Sequence, residues 1–350
     1  MSPSSVIGAI IIARNGDRTV FHQDPQTYEP SATESTPLGV VKVLAKARPV
    51  VFNGAIALLQ GLFPPNPDNN ITLADSTVVM APLGGYQYIP VESVESTNDR
   101  SLESWTDCPV KNHHISTFHQ SDVFKLKANE AALFFQDVKD YIFGPPATLE
   151  NIIYDFMDTQ FVHNQTYANL LPPAYIDQAR ALADFHEVGV FSGKHANDIG
   201  NIAGRTLLNT IFAGAERIAY DEDPLKLAVI QTSYHPFISL FHQLEIIRSH
   251  PELAAIPNFG AALAIEVRRR GVPPESRDFL RFKFRNGNQQ WARVCNASGF
   301  TKSTMNLGMM SSTVVVLVSV LVVTVRMVLL AQRVRRAGML QKALEVYIVF

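Results

Sequence analysis

The order of hydrophobic and polar positions predicts a mixed α/β fold. Residues 6–13 are apolar throughout apart from one glycine, and the run ends abruptly at a charged turn over residues 14–18. Such a run is typical of a strand that is buried on both faces, as in the middle of a parallel sheet. Further strands are predicted at 71–80, where apolar residues alternate loosely, and at 88–91, 225–232, 261–268 and 279–284, and alternation in the last two favours antiparallel pairing.

Between residues 121 and 218 the hydrophobic pattern changes from strand spacing to helical spacing. Apolar residues recur every three or four positions at 131–142, 148–161, 173–185 and 199–219, which predicts amphipathic helices. Helices are also predicted at 55–65 and 237–250, whereas 21–35 is polar, contains two prolines and is predicted to be a loop. The scattered histidines of the helical block are predicted to be surface or core residues rather than ligands.

The C-terminal part of the chain contains a candidate membrane span. Residues 303–325 carry no charge over 23 positions, about the length that a helix needs to cross a bilayer. A buried, valine-rich strand is the alternative. Arg326 lies at the boundary, and Arg333, Arg335 and Arg336 follow it, which by the positive-inside rule places the tail in the cytosol. We predict a single-pass anchor at 303–331, a tail at 332–350 and a luminal or extracellular globular part.

Composition and targeting signals restrict the partners and the cellular compartment that the sequence predicts. The net charge of −2 gives no electrostatic basis for nucleic-acid binding, and Cys108 and Cys295 show no zinc-binding spacing and leave a disulfide open. No metal or cofactor is predicted. Sequons at Asn70, Asn164 and Asn296 are compatible with a secreted or luminal glycoprotein. The N-terminal apolar run lacks the basic start of a signal peptide, and a tail-anchored protein would instead keep its globular part in the cytosol.

The strongest candidate for chemistry is the turn after the first predicted strand. Arg14 and Arg18 bracket Gly16 there, and ligands of parallel α/β sheets bind at the carboxyl ends of strands. Guanidinium groups match phosphate oxygens in geometry and in charge. The two arginines therefore predict an anion clamp.

The sequence Arg14-Asn15-Gly16-Asp17-Arg18 resembles the Arg-His-Gly-x-Arg signature of the histidine acid phosphatases, which belong to the phosphoglycerate-mutase-like superfamily. Residues 36–39 and 61–65 resemble two helix landmarks of that family, and the strand that runs into His235 resembles its His-Asp-Thr-Thr-Leu signature. The resemblance implies a three-layer α/β sandwich. Residues 1–100 and 220–300 would form the core, and residues 101–219 a mainly helical cap that sets substrate choice.

The chain departs from these signatures at both reacting positions. Asn15 replaces the nucleophilic histidine, and an amide nitrogen has no free lone pair for attack. Pro236 replaces the aspartate that protonates the leaving group, and proline has no proton to give. The resemblance implies phosphate contacts for Arg14, Arg18 and His235. Two substitutes stay open, namely His235 as the nucleophile and Asp17 as the acid.

A third clamp arginine of the family is not found. Its Arg-x-x-x-Ser-Ala motif aligns with Val50 and Gly54, and Arg48 is two positions away from a match. The helix and strand that family members carry between residues 39 and 52 are largely absent. This predicts an uncovered edge beside the first strand, and an internally shortened splice form is one hypothesis for it.

Together these observations predict a membrane-anchored, histidine-acid-phosphatase-like protein with impaired catalysis. It would keep a partial pocket for phosphate or a phosphomonoester. An active acid phosphatase with a rearranged mechanism is one alternative. The other is an interaction domain with a vestigial site.

Overall fold

The computed structural model describes most of the chain before residue 302. The described residues are 4–16, 18, 49–68, 70–80, 82–93, 98–142, 144, 147–220, 222–271, 277–301, 304–305 and 347–349. The predicted loop at 21–35, the landmark at 36–39, the alternative acid Asp17 and most of the predicted membrane span lie outside these residues. The splice-form hypothesis concerns residues 39–52 and is not tested by the described part.

Nine strands are described. They are β1 (Ser4–Arg14), β2 (Asn70–Thr72), β3 (Val78–Met80), β4 (Leu227–Thr232), β5 (Ala262–Arg270), β6 (Arg277–Arg285), β7 (Ala292–Thr301), β8 (Thr304–Met305) and β9 (Tyr347–Val349). Seven form one sheet in the order β8-β7-β6-β5-β1-β4-β9, and β2 and β3 form a separate hairpin. The first predicted strand is central, as expected. It pairs in parallel with β4 but antiparallel with β5, so the sheet is mixed rather than parallel.

Eight helices of six residues or more are described. They are α1 (Pro49–Leu62), α2 (Pro109–His119), α3 (Asp122–Val138), α4 (Tyr154–His163), α5 (Gln165–Leu170), α6 (Pro173–Phe191), α7 (Ile202–Ala219) and α8 (His235–Gln243). The predicted helix at 237–250 ends early because Glu245 adopts a left-handed conformation, with φ of 55°. The predicted strand at 71–80 is the β2–β3 hairpin, and residues 88–91 are not a strand.

The main core lies between the sheet and the helices α7 and α8. Buried side chains from these elements form one cluster with Ile10 and Ile12 of β1: Leu207, Leu208, Ile211, Phe237, Leu240 and Phe241. Gly8 permits the close approach of α7, since a Cβ atom there would lie 2.5 Å from Ile218. Helix α7, which lies within the predicted cap at 101–219, thus packs against the sheet.

Helices α2 to α6, within the predicted cap, share an apolar core of their own. Its buried members include Phe124, Phe134, Phe135 and Met157. A third cluster joins the cap to the sheet layer through Val190 and Phe191 of α6 and Ile238 of α8. This junction fixes α6 beside the N-terminal end of α8, where the second sequence motif begins.

Two short strands are described within the C-terminal region that is predicted to form the anchor and the tail. Among the described residues, no helix has the length and apolarity needed to cross a bilayer. Thr304 and Met305, inside the predicted span, form β8 on the edge of β7. Tyr347–Val349, inside the predicted tail, forms β9 and pairs in parallel with β4. Strand β9 thus covers the sheet edge beside β4.

Candidate functional site

The ends of β1 and β4 bring the two sequence motifs together. The strands are parallel neighbours in which Arg14 is the register partner of Thr232. Neighbouring strands lie about 4.8 Å apart, so the residues that follow them also lie side by side. Asn15 follows β1, and Tyr234 and His235 follow β4 one residue further on. The carboxyl ends of these strands therefore form a single site.

Arg14 is a buried cation between two aromatic rings. Its side chain is 5% exposed, and its guanidinium carbon lies 4.3 Å from the ring centre of Phe259 and 5.0 Å from that of Tyr234. Burial, and next the charge of Arg18, lowers the pKa of Arg14 to about 9. The one hydrogen bond of its guanidinium group among the described residues is a long one of 3.4 Å, from Nε to Asn15 Oδ1. No described carboxylate forms an ion pair with Arg14.

Arg18 is held by a carboxylate of the cap. Its Nη2 and Nη1 donate hydrogen bonds of 2.7 and 3.0 Å to the two carboxylate oxygens of Asp155 on α4. Both side chains are mostly buried, at 10% and 18% exposure. This fork-to-carboxylate geometry is the one that Arg18 would offer to a phosphate. Asp155 therefore occupies Arg18 in the way that an anionic ligand would.

The two departures from the family signatures are buried in the site. Asn15 is 1% exposed, and its Nδ2 donates a hydrogen bond of 2.9 Å to the carbonyl of Gly16. Pro236 is buried in the first turn of α8. Neither residue can attack phosphorus or carry a proton. The alternative acid, Asp17, lies outside the described residues.

His235 faces a serine and a glutamate. Its Nδ1 shares a hydrogen bond of 2.7 Å with Ser233 Oγ, and its Nε2 lies 3.7 Å from Oε2 of Glu187 on α6. Tyr234 stacks on the imidazole with ring centres 3.9 Å apart, and it is the ring that also contacts Arg14. His235 and Arg14 therefore belong to one cluster, with Tyr234 between them.

Glu187 connects His235 to two more histidines. The glutamate is 3% exposed, and its Oε1 lies 3.0 Å from Nδ1 of His186, whose Nε2 is 3.0 Å from that of His119 on α2. Burial acts to raise the pKa of Glu187, but the hydrogen bond from His186 and the charge of His235 outweigh it and lower that pKa. Ionised Glu187 thus lies directly behind the second motif.

Lys111 is a buried cation that interacts electrostatically with Glu187. It is 1% exposed, donates a hydrogen bond to the carbonyl of Val190, and lies 4.1 Å from the ring centre of Phe191. Burial lowers the pKa of Lys111 to about 8, although the charge of Glu187 acts in the opposite direction. The charges of Lys111 and Glu187 stabilise one another at the junction of cap and core.

A second carboxyl group of α4 faces the arginines. Burial, and the nearby charge of Asp155, raise the pKa of Asp158, while a hydrogen bond from Tyr154 and the charges of Arg180 and Arg14 oppose this rise. Arg180 itself is fully engaged, with hydrogen bonds to Asp184, Tyr154, Asn258 and the carbonyl of Ile256. It joins α6 to the loop before β5.

The sequence motifs did not indicate the partners that surround them. Asp155 and Asp158 come from α4, Glu187 from α6, and Phe259 from the loop before β5. A detectable signal was the pair of aspartates three residues apart, which lie on one face of a helix.

Cys108 and Cys295 are free, and no group of three or more metal-ligating side chains occurs among the described residues.

Comparison with known proteins gives a match in fold alone. No protein-family model and no curated protein sequence matches the chain. Among solved structures, the phytase of Klebsiella sp. ASR1 matches with a TM-score of 0.52 and 12% identity, over 81% of this chain and 83% of that chain. The phytase of Citrobacter braakii matches with a TM-score of 0.47 and 12% identity, over 80% and 85%. The chain thus has a mixed α/β fold similar to that of the Klebsiella phytase, which confirms the α/β part of the predicted fold class.

Proposed function

We propose that this chain is a divergent histidine-acid-phosphatase-like protein that binds an anion and has lost efficient turnover. The observation that carries the proposal is the state of Arg14. A buried guanidinium without an acidic partner is costly in free energy, because it has lost its hydration without gaining a counter-charge. An anionic ligand at the ends of β1 and β4 would supply that counter-charge.

The lost turnover follows from the residues at the two reacting positions. The amide of Asn15 cannot form a covalent bond to phosphorus, and Pro236 cannot protonate a leaving alkoxide. A general acid alone contributes a factor on the order of 10²–10⁴ to a rate. Arg18 and His235 belong to the same site, but each already faces a carboxylate, so Arg14 would be the principal contact for the ligand.

An active phosphatase with a rearranged mechanism is a second candidate, and one observation favours it. Asp158 is a carboxyl group near Arg14 whose pKa is raised, so it holds a proton at a higher pH than an ordinary aspartate does. It could therefore replace the missing acid. The nucleophile would still be lacking, and for this reason the binding function is preferred.

Thermal unfolding with and without inorganic phosphate tests the binding function, because a ligand of the native state raises the melting temperature. Phosphate should stabilise the wild type and leave Arg14→Met unaffected. Arg248→Met, which replaces an exposed arginine, is the matched control and should behave as the wild type. Absence of any phosphate effect would leave the vestigial site as the better account. Release of phosphate from p-nitrophenyl phosphate at acid pH would favour the active enzyme.

The membrane anchor predicted at residues 303–331 is proposed on the sequence alone, as is a luminal or extracellular position. The length of the uncharged stretch and the arginines after it support both. Glycosylation belongs to the same proposal, and two of the sequon asparagines, Asn70 and Asn164, are exposed.

A further inference from the structure

The surroundings of Arg14 restrict the charge of the ligand. This inference rests on the proposed anion site and goes on to name the class of anion that it takes. Two ion pairs lie near Arg14, namely Arg18 with Asp155 and Arg180 with Asp184, and His235, on the other side of Tyr234, faces the carboxylate of Glu187. Each pair brings its own carboxylate, so none adds net positive charge to the pocket. Among the described residues of the site, Arg14 alone contributes an uncompensated positive charge.

We propose that the pocket selects a singly charged oxyanion, such as a phosphodiester or a sulfate ester, over a doubly charged phosphomonoester. One negative charge neutralises Arg14. A second negative charge would face Asp155 of α4, whose own partner is Arg18, without another cation to balance it. Binding a dianion would therefore require Asp155 to give up Arg18, with which it makes two hydrogen bonds.

The packing of Arg14 agrees with an esterified anion. The rings of Phe259 and Tyr234 lie against the guanidinium and accept no ordinary hydrogen bond from its terminal nitrogens. Those nitrogens can donate to two oxygens of one acid group in the fork geometry. The same rings offer apolar surface to the carbon substituents of an ester, whereas a strongly hydrated dianion would lose its water there.

Methyl sulfate and methyl phosphate form a matched pair of probes. They have the same shape, but at pH 8 methyl sulfate carries one charge and methyl phosphate two, since the second pKa of a phosphomonoester is about 6. Dimethyl phosphate, a monoanion, separates a phosphodiester from a sulfate ester. Isothermal titration of the full chain at pH 8 should show tighter binding of both monoanions than of methyl phosphate, by on the order of tenfold.

Asp155→Asn tests the role of the internal carboxylate. The variant removes the negative charge of Asp155 from beside Arg18 and should strengthen methyl phosphate binding by on the order of tenfold, with little change for methyl sulfate. Asp177→Asn, at an exposed position of α6, is the control and should keep the wild-type preference. If Asp155→Asn does not fold, the comparison of methyl sulfate with methyl phosphate on the wild type still tests whether the site selects a monoanion over a dianion.

The outcomes separate this inference from the proposed function. If methyl phosphate binds as tightly as methyl sulfate and the binding is lost in Arg14→Met, the charge selection is overturned but the anion site at Arg14 is supported. Failure of every probe to bind the wild type would overturn both.

Discussion

Arg14 at the end of β1 and Thr232 at the end of β4 are register partners in adjacent parallel strands. This relationship places two motifs that are more than two hundred residues apart in sequence at one edge of the sheet. Asn15 follows β1 and Pro236 lies shortly after β4, so both lie at this edge of the sheet.

Asn15→His alone should leave phosphomonoesterase activity near background, because Pro236 still provides no proton. Pro236→Asp alone should also be inactive, because a nucleophile is lacking. The double variant should exceed either single variant by about 100-fold or more. An aspartate in the first turn of α8 is also compatible with the helix dipole. The measurement is hydrolysis of p-nitrophenyl phosphate at acid pH, with Arg14→Met added to the double variant as the control. Full recovery in Asn15→His alone would contradict this assignment of the proton donor.

Arg14→Met should stabilise the protein in the absence of ligand. The substitution keeps an unbranched apolar stem between Tyr234 and Phe259 and removes a buried charge that has no acidic partner. The free energy of unfolding should rise by about 1 kcal/mol or more. Urea unfolding at neutral pH without phosphate measures it, and Arg248→Met should change little. A strong loss of stability in Arg14→Met would show that the guanidinium is compensated in the native state.

Lys111 should make the stability depend on pH in the alkaline range. Its pKa is about 8 in the folded protein and 10.5 for an ordinary lysine, so between these values the unfolded chain binds more protons than the native protein. The contribution of Lys111 to stability therefore rises with pH across this window. From pH 8 to 10.5 the wild type should therefore gain on the order of 3 kcal/mol of unfolding free energy relative to Lys111→Met, which has no titrating group at this position.

Urea unfolding of both proteins at several pH values measures this difference. Lys125→Met, at an exposed position of α3, is the matched control and should show no such increase. A constant difference between wild type and Lys111→Met would mean that Lys111 is not desolvated in solution.

Glu187 should make the stability depend on pH in the acid range, where its contribution to stability is lost as the pH falls. Its pKa is lowered in the folded protein, so its carboxylate contributes stability above the ordinary value of 4.5, and this contribution is lost as the pH falls through the folded pKa. Glu187→Gln should be less stable than the wild type at pH 7 by about 1–3 kcal/mol, because His186 and Lys111 lose a charged partner. Below pH 4.5 the two proteins should converge. Glu130→Gln, at an exposed position of α3, is the control. A stability difference between wild type and Glu187→Gln that persists below pH 4.5 would contradict the lowered pKa of Glu187.

The parts of the fold that could be predicted are those with local signals. The strand before Arg14 and the helical spacing of α3, α6 and α7 follow from short-range hydrophobic patterns. The register of β1 with β4 and the approach of Asp155 to Arg18 could not be predicted, because they depend on how the cap packs over the sheet. The place of α7 could not be predicted either, since its helical period is the same whether it covers the sheet or the cap. Strand β9 comes from the far end of the chain and carries no signal for its partner.

The anchor can be tested through β9. Tyr347 of β9 is the register partner of Ala228 of β4, so a chain that crosses a bilayer at residues 303–331 cannot keep this pairing. Cα atoms of neighbouring strands are about 4.8 Å apart, which suits a disulfide. With Cys108 and Cys295 changed to serine, Ala228→Cys/Tyr347→Cys should therefore lock the paired arrangement on oxidation. We expect the reduced chain to resist alkaline extraction from membranes and the oxidised chain to be released. Equal release of both forms would contradict the anchor.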